Sequence, residues 1–527
     1  MKSLRSFSRL FAIYRPYRGR LILSQLLLLL AALLMMGAQS MISTVINQGI
    51  VMGDVRTLVR SGLIMTFLAL GAGAALAGVV HYATLFSQGT AYYLRLALYR
   101  RISQFSVGNF DQHRTGQLMV NLNADINYVA TAVQFSILLI LFAPFMTLAA
   151  LAMALIFTPE LAWQILVLAL VVGVVMALVV PRVYHATLER QQALDNINNA
   201  VQEDVAGIRV VKAFVREKLE IDKFAQRTVL MRKATFTSAF LLGFLMPLLQ
   251  GIGQLARVLA IGAGAPAVYS GALEVGSLIA FTQYLAMIVS PLAMLSVLIP
   301  FLLRGAASAE RIFVVLDTEP EVQDKPDAKS PDTSAAKGRI AFENVSFAYR
   351  RPNGQLDPPV LCHINLTIEP GERIGFLGST GSGKSTLVNL VPRFYDVTEG
   401  RITLDGVDVR DLKQDDLRQI VGIALQEAVL FQGDVRFNLK FGAPETDDEV
   451  MFAAAQAADS YDFVTNLPQQ WEAPVARRGY NFSGGQRQRL SMARALTPQP
   501  RVLILDDSTS ALDVATESRV QAAIPKF

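Results

Sequence analysis

The run Gly378-Ser379-Thr380-Gly381-Ser382-Gly383-Lys384-Ser385-Thr386 fills every fixed position of G-x-x-x-x-G-K-[ST]. Such spacing suits one chemistry, the cradling of a nucleotide's phosphates. The glycines let the backbone curl until successive N–H groups point at an anion. The positive end of the following helix faces the same point. Lys384 adds a mobile charge for the terminal phosphates, and Ser385 offers a hydroxyl to the Mg²⁺ that accompanies a nucleotide. The context fits as well: Arg373–Leu377 reads as an apolar strand ahead of the loop, and the pattern from Leu387 to Val391 continues a helix behind it. A flexible loop with a chance lysine would not bring all these positions together in that setting.

Two further segments carry compatible chemistry. Val502-Leu503-Ile504-Leu505-Asp506 is an apolar strand ending in a carboxylate, the form expected of a Mg²⁺-orienting aspartate beside a phosphate loop. Asn481-Phe482-Ser483-Gly484-Gly485-Gln486-Arg487-Gln488-Arg489 is a second glycine-bearing turn that opens a helix, and so a second anion-ready N-terminus. By itself it would pass for an ordinary helix start.

The chain that must position these residues has 527 of them, too many for one ordinary core. Residues 1–310 hold long apolar stretches broken by short polar loops, whereas 338–527 read as a soluble α/β domain. Stretches of about 20 apolar residues span a bilayer as helix. Six qualify: Leu21–Ile46, Ser61–Phe86, Thr131–Phe157, Leu161–Val180, Ala239–Tyr269 and Ser277–Leu303. Buried helices of a large soluble protein would need polar faces that these runs do not possess. The expected fold is therefore an α-helical membrane domain of six transmembrane helices over 1–317, a polar, proline-bearing linker over 318–337, and an α/β phosphate-loop nucleotide-binding domain over 338–527.

Charge sets the orientation. Lys2, Arg5, Arg9, Arg15, Arg18 and Arg20 precede the first apolar run with no acidic residue among them, a positive-inside flank. A signal peptide is the rival reading, and it fails because the apolar run is too long and no small-residue cleavage site follows promptly. The connections after the second and fourth spans are long and basic, holding Arg95, Arg100, Arg101 and Arg114, then Arg182, Arg190, Arg209, Lys212, Arg216 and Lys218. Both termini are thus expected in the cytoplasm, with the chain in the plasma (inner) membrane. Few Gly or Pro breakers interrupt 87–130 and 181–238, so these connections should prolong the membrane helices. The net charge of +5 is spent on this flank and argues for no nucleic-acid partner. Cys362 is the only cysteine, and His81, His113, His185 and His363 show no ligand spacing, which disfavours any metal site other than Mg²⁺.

In this ordered set of motifs the chain resembles the ATP-binding cassette (ABC) family, specifically half-size exporters with six membrane helices fused to one nucleotide-binding domain. The resemblance covers the whole chain. It implies that Tyr349 stacks on adenine, that Gly378 to Thr386 bind ATP, and that Ser385, Gln426 and Asp506 attend Mg²⁺. It further implies that Gln426 joins nucleotide chemistry to the membrane domain and that Ser510-Ala511-Leu512-Asp513 form a loop crossing to a partner. Ser483, Gly484, Gly485 and Gln486 match the family's signature turn, which closes over the nucleotide held by a second subunit. Phe110-Asp111, Thr115-Gly116 and Asp125, and then Glu203, Gly207-Ile208 and Val211–Phe214, fall where family members carry short coupling helices. The function so implied is ATP-driven outward transport of an amphipathic drug, lipid or peptide. The alternatives are an ATP-gated membrane regulator without pumping, or an inactive fragment. Six fused spans rule against a DNA-repair or translation ATPase, and cassette and permease on one chain rule against an importer.

Three departures from the family pattern qualify this. Asp507 stands where a water-polarising glutamate is usual; one methylene fewer withdraws the carboxylate by more than about 1 Å, a misplacement that can cost roughly 10²-fold in rate. As the catalytic residue of its own site, with Gln426, it should be slow, which favours a heterodimer with a different ABC half-transporter over a homodimer. Arg477 occupies a position where exporters usually have glutamate. The family's switch histidine is not found before Phe527, and the chain is expected to be C-terminally incomplete. In the membrane half Arg257 is the notable polar anchor, a substrate candidate for an anionic or amphipathic molecule or else one half of a structural pair. Met287, Met294, Gln250 and Gln283 would line an adaptable apolar pathway.

Overall fold

The computed structural model describes Arg9 and residues 18–527 apart from 114, 352 and 353. Lys2, Arg5, Arg15 and Arg114 lie outside the described residues. Two compact units emerge: residues up to 102 with 118–318, and 103–117 with 319–527.

The first unit is helical because its apolar runs leave the backbone no water to bond to, and only an α-helix satisfies every peptide group within one segment. Its long helices are α1 (Arg18–Thr44, prolonged by a π-helical turn Val45–Val51), α2 (Val55–Ser103) and a third span running from Thr115 to Phe157. That span is segmented into α4 (Thr115–Val120), α5 (Ile126–Leu139) and α6 (Phe142–Phe157). The remaining long helices are α7 (Trp163–Ala206), α9 (Glu217–Tyr269) and α10 (Val275–Asp317). Among the described residues six helical spans are long and apolar enough to cross a membrane. At 53 residues α9 is about 80 Å long, against roughly 30 Å of hydrocarbon, so it runs far past the bilayer. The prolongation expected from breaker-poor sequence is realised in α2, α7 and α9.

The core of this unit gathers around α10. Phe281, Tyr284, Leu285 and Ile288 are fully buried against Met36 of α1, Met146 of α6, Ile165 of α7, and Leu245 and Leu249 of α9. Polar clamps hold the two ends of α10. Near its start Asn47 accepts from the Gly276 N–H at 2.7 Å and donates to Ser43 and Glu274, while the Ser43 and Ser277 hydroxyls lie 2.9 Å apart. Near its end the fully buried Asp125 takes Arg311 Nε at 2.9 Å and the Ser308 hydroxyl at 2.8 Å, and also pairs with Arg311 Nη2. Arg9 grips Asp317 in a bidentate pair at 2.7 Å and lies over the Phe313 ring.

The second unit holds three sheets. An antiparallel sheet of order β2-β1-β3-β4 is formed by β1 (Ile340–Phe347), β2 (Leu361–Ile368), β3 (Glu399–Leu404) and β4 (Val407–Asp408). A parallel pair joins β5 (Val421–Ala424) to β8 (Val502–Leu505), and an antiparallel pair joins β6 (Gly433–Asp434) to β7 (Pro474–Val475). The parallel pair runs in register from Val421 opposite Val502 to Ala424 opposite Leu505. Arg373–Leu377, expected as a strand, is not one: it has no ladder, and Leu377 is 98% exposed. Apolar composition alone cannot make a strand; a neighbouring backbone must accept its hydrogen bonds.

Two apolar cores fill this unit. Phe342, Phe347 and Ile402 pack with Leu387 and Leu390 of α11 (Lys384–Leu390), the helix after the phosphate loop. Val435, Met451 and Trp471 pack with Leu490 and Met492 of α16 (Gly484–Leu496), the helix after the second glycine-bearing turn. Between them in sequence lie α12 (Gln414–Ile420), α13 (Val435–Leu439), α14 (Asp448–Ala457) and α15 (Tyr461–Thr465), and α17 (Val514–Ala523) follows β8. The stretch read as a linker is fastened at several points: Val322 is buried, Lys329 N–H donates to Asp411 O at 2.7 Å, and Lys413 N–H donates to Lys329 O at 3.0 Å.

A short helix α3 (Val107–Gln112), from the connection after the second span, also belongs to this unit. Its anchor is Asn109, 1% exposed, whose Oδ1 accepts from Ser106 N–H, the Ser106 hydroxyl and Glu321 N–H, and whose Nδ2 donates to Glu319 O. The Tyr395 hydroxyl donates to Asp111 at 2.6 Å; burial, and then that carboxylate, push the phenol pKa far up, so Tyr395 stays a neutral donor. The second connection carries its own short helix, α8 (Ile208–Ala213), with no buried residue. Replacing Asn109 by Ala strands the buried Ser106 N–H and hydroxyl and frees the partly buried Glu321 N–H, a loss of about 2–4 kcal/mol. Asn109→Ala should therefore speed amide exchange across 103–117 at least tenfold; unchanged protection would remove Asn109 as the anchor.

Candidate functional site

Positive φ at Gly381 (+84°) and Gly383 (+91°) bends the chain where a side chain would be strained. At Gly383 the bend hands directly into α11, and a Cβ there would meet Leu361 Cδ2 at 2.9 Å. Lys384 Nζ arches back to donate to Gly378 O at 2.8 Å and Ser379 O at 2.9 Å, which pins the ammonium over the loop. The loop from Gly378 to Ser382 is exposed, and Thr386 is buried beneath it.

The parallel register of β5 and β8 delivers the acidic residues. Asp506 N–H donates to Ala424 O at 3.0 Å, which continues the ladder one step past β8. From there the half-buried Asp506 carboxylate accepts from the Ser385 hydroxyl at 2.9 Å. One residue on, Asp507 adopts left-handed backbone (φ +49°), a conformation aspartate tolerates better than most. Its carboxylate accepts from Gln426 Nε2 at 3.2 Å. The fold thus joins Ser385 to Asp506 and Gln426 to Asp507. Ser385, Asp506 and the Gln426 amide present only oxygen ligands to a cation, a donor set that suits Mg²⁺.

Tyr349 is half-buried. Its hydroxyl lies 2.9 Å from the Thr386 hydroxyl, and its ring meets Phe347 and Tyr395 edge-on. Those edge contacts are compatible with a planar base on a ring face.

The turn at Ser483 is a reciprocal capping box: the Ser483 hydroxyl accepts from Gln486 N–H at 3.2 Å, and the Gln486 side chain accepts from Ser483 N–H at 2.9 Å. Gln488 ties the turn to the loop beyond Asp507, donating to the Ser510 hydroxyl at 3.1 Å and accepting from Ala511 N–H at 2.9 Å. Asp513 caps α17, and the Thr516 N–H bond holds its carboxyl below the usual range. Ser483, Gly484, Gly485, Ala511, Leu512 and Asp513 line a groove of about 470 Å³. This groove belongs to the core of α16, whereas the phosphate loop belongs to the core of α11. Sequence reasoning singled out the turn and missed Gln488, whose link to Ser510 and Ala511 has no motif of its own.

Arg257 is half-buried on α9, and among the described residues no carboxylate pairs with it. Gln250 and Met294 are exposed and Met287 packs at the margin of the membrane core. Arg477 is exposed beside Arg478.

A family model for the ABC transporter transmembrane region matches residues 21–292, and a model for the ABC transporter domain matches 361–510. An uncharacterised ABC transporter ATP-binding protein of Bacillus subtilis, YfiB, is 32% identical over 92% of this chain and 84% of its own length. An ATP-dependent lipid A-core flippase of Syntrophus aciditrophicus is 30% identical over 99% of this chain and 85% of its own. Among solved structures, a bacterial Atm1-family ABC exporter with ATP bound aligns with a TM-score of 0.80 over 98% of this chain and 90% of that one, at 24% identity. The phosphate loop, the signature turn and six fused spans thus come together in a member of the ABC transporter family, a multi-pass membrane exporter half-transporter that binds and hydrolyses ATP.

Proposed function

We propose that this chain is the weak-site subunit of a heterodimeric exporter that moves an amphipathic molecule, a drug, lipid or peptide, outward across the plasma (inner) membrane, with both termini in the cytoplasm. The dimeric part is supported by membership of the ABC exporter family, whose members work as dimers; in this reading a nucleotide on one chain's loop is closed over by the signature turn of another. Lipid A-core flippases among the relatives support an amphipathic substrate. Arg257, which pairs with no carboxylate among the described residues, is our candidate for its anionic group.

In this reading the Gly378–Thr386 backbone and Lys384 bind the β- and γ-phosphates of ATP, and Tyr349 stacks on its base. Ser385, Asp506 and Gln426 hold Mg²⁺, which when bound offsets charge on the transferred phosphoryl group. Asp507 is the residue left to orient water. Its carboxylate is one methylene shorter than a glutamate's and is held by Gln426 Nε2, and this favours slow turnover at this chain's own site. Closure stores work because ATP binds the closed dimer more tightly than the open one. Helix α3, bonded through Asn109 and Tyr395 to nucleotide-domain residues, and the bare α8 would pass that closure to the spans.

Three outcomes test this. Lys384→Ala removes charge-assisted contacts to phosphate and should weaken ATP binding of the full-length dimer roughly 10–100-fold; unchanged affinity in a titration with labelled ATP sinks the loop's assignment. Ser483→Arg should abolish most ATPase activity of the heterodimer even though it sits in the weak-site subunit. Persistent activity in an intact dimer would mean the turn does not serve the partner's nucleotide. Asp507→Glu should raise hydrolysis at this chain's site, whereas Asp507→Asn should change total turnover little. If site-resolved trapping of ADP shows Asp507→Asn to be as damaging as loss of the partner's glutamate, the two sites are equivalent and the asymmetric reading is wrong.

A further inference from the structure

At the start of α2, Arg56 and Arg60 stand one turn apart on one helix face, both exposed, and among the described residues neither guanidinium has a carboxylate partner. The nearest acid in sequence, Asp54, is engaged as the helix cap, accepting from Arg56 N–H at 3.0 Å, Thr57 N–H at 3.1 Å and the Thr57 hydroxyl at 2.5 Å. Below the arginines the same face turns apolar and open: Val59 is 56% exposed, Leu63 57% and Phe67 73%. Together with Val55 and Ile64 these side chains form one open face of α2.

The placement runs against the charge pattern of the chain. Under the orientation proposed above, basic residues cluster on the cytoplasmic side, and the other three connections are short. Beyond Arg56 and Arg60 their ionisable residues are the acids Asp54, Glu160 and Glu274. Topology does not call for cations here, because positive charge retains a segment inside. A local anion accounts for them. From Arg56 to Phe67 is 11 residues, about 16 Å of helix, and one leaflet's hydrocarbon is about 15 Å deep. The face therefore presents two guanidiniums at headgroup level and an apolar track as long as one acyl chain.

We propose that Arg56 and Arg60 form a binding site for an anionic phospholipid, the guanidiniums holding its phosphate by charge-assisted bonds and Val59, Leu63 and Phe67 lying along its tail. The site occupies the leaflet opposite the nucleotide domain. That leaflet assignment rests on the proposed orientation, whereas binding itself does not.

The test reconstitutes the full-length dimer in nanodiscs of phosphatidylcholine with and without phosphatidylglycerol and counts lipid retained on detergent extraction by native mass spectrometry. Each arginine near a membrane surface contributes about 1 kcal/mol toward an anionic lipid, so Arg56→Gln/Arg60→Gln should lower phosphatidylglycerol retention roughly thirtyfold, with phosphatidylcholine unaffected. Arg56→Lys/Arg60→Lys should restore much of it. ATPase activity in phosphatidylcholine alone reports folding of the variant and fails separately, if the transporter reading itself fails. Equal phosphatidylglycerol retention by wild type and the glutamine variant overturns the proposal. So does efficient cross-linking of Phe67→Cys between two copies in the membrane, since a second chain would then cover the track.

Discussion

A peptide group that cannot reach water must bond to another peptide group, and the consequences of this rule run through the whole molecule. In the apolar part of the chain it enforces long helices. In the nucleotide unit the same rule makes the β5–β8 ladder, and the ladder fixes chemistry. Because Ala424 lies opposite Leu505, the bond from Asp506 N–H to Ala424 O follows without choice, and Gln426 comes to face Asp507. A slip of one residue would turn Asp506 away from Ser385. At the phosphate loop the rule is relaxed on purpose: Gly381 and Gly383 curl the backbone so that its donors are directed at an anion instead of a neighbouring carbonyl.

Much of this was legible in the residues because the signals were local. Span lengths follow from hydropathy, and the loop and signature turn follow from glycine, lysine and serine at set spacing. What the residues did not show depends on partners distant in sequence. Arg373–Leu377 looks like a strand in isolation, yet the ladder that would make it one is a property of its surroundings. The 318–337 stretch looks like a tether, yet Lys329 makes backbone bonds to Asp411 and Lys413, more than 80 residues away in sequence. Asn109 carries no motif at all, and its importance comes from four hydrogen bonds, two of which reach Glu319 and Glu321.

The clamps on α10 show how an apolar helix can be both central and held. Its middle is packed by burial through Phe281, Tyr284 and Ile288. Its ends are gripped by Asn47 and by Asp125, whose bonds are directional and fail over a small displacement. Motion of α10 therefore has to be rigid-body or to break a whole clamp. Asp125 is the costlier one to break, since it would leave a buried carboxylate without its guanidinium.

The same logic ties the signature turn to the segment that carries Asp507. The signature turn is fastened by Gln488 to Ser510 and Ala511, and these follow Asp507 within four residues. Any shift of the turn therefore drags the segment that carries Asp507, and Gln426 shifts with it. In the proposed dimer, a nucleotide closing on one chain's turn would thus be felt at that chain's own phosphate site. Within this chain the links are hydrogen bonds at 3.1, 2.9 and 3.2 Å, each with one satisfied arrangement. Asymmetry between the two sites costs little in such a scheme. On the proposed weak-site reading, a short carboxylate at 507 would slow one reaction while leaving every bond of the relay in place.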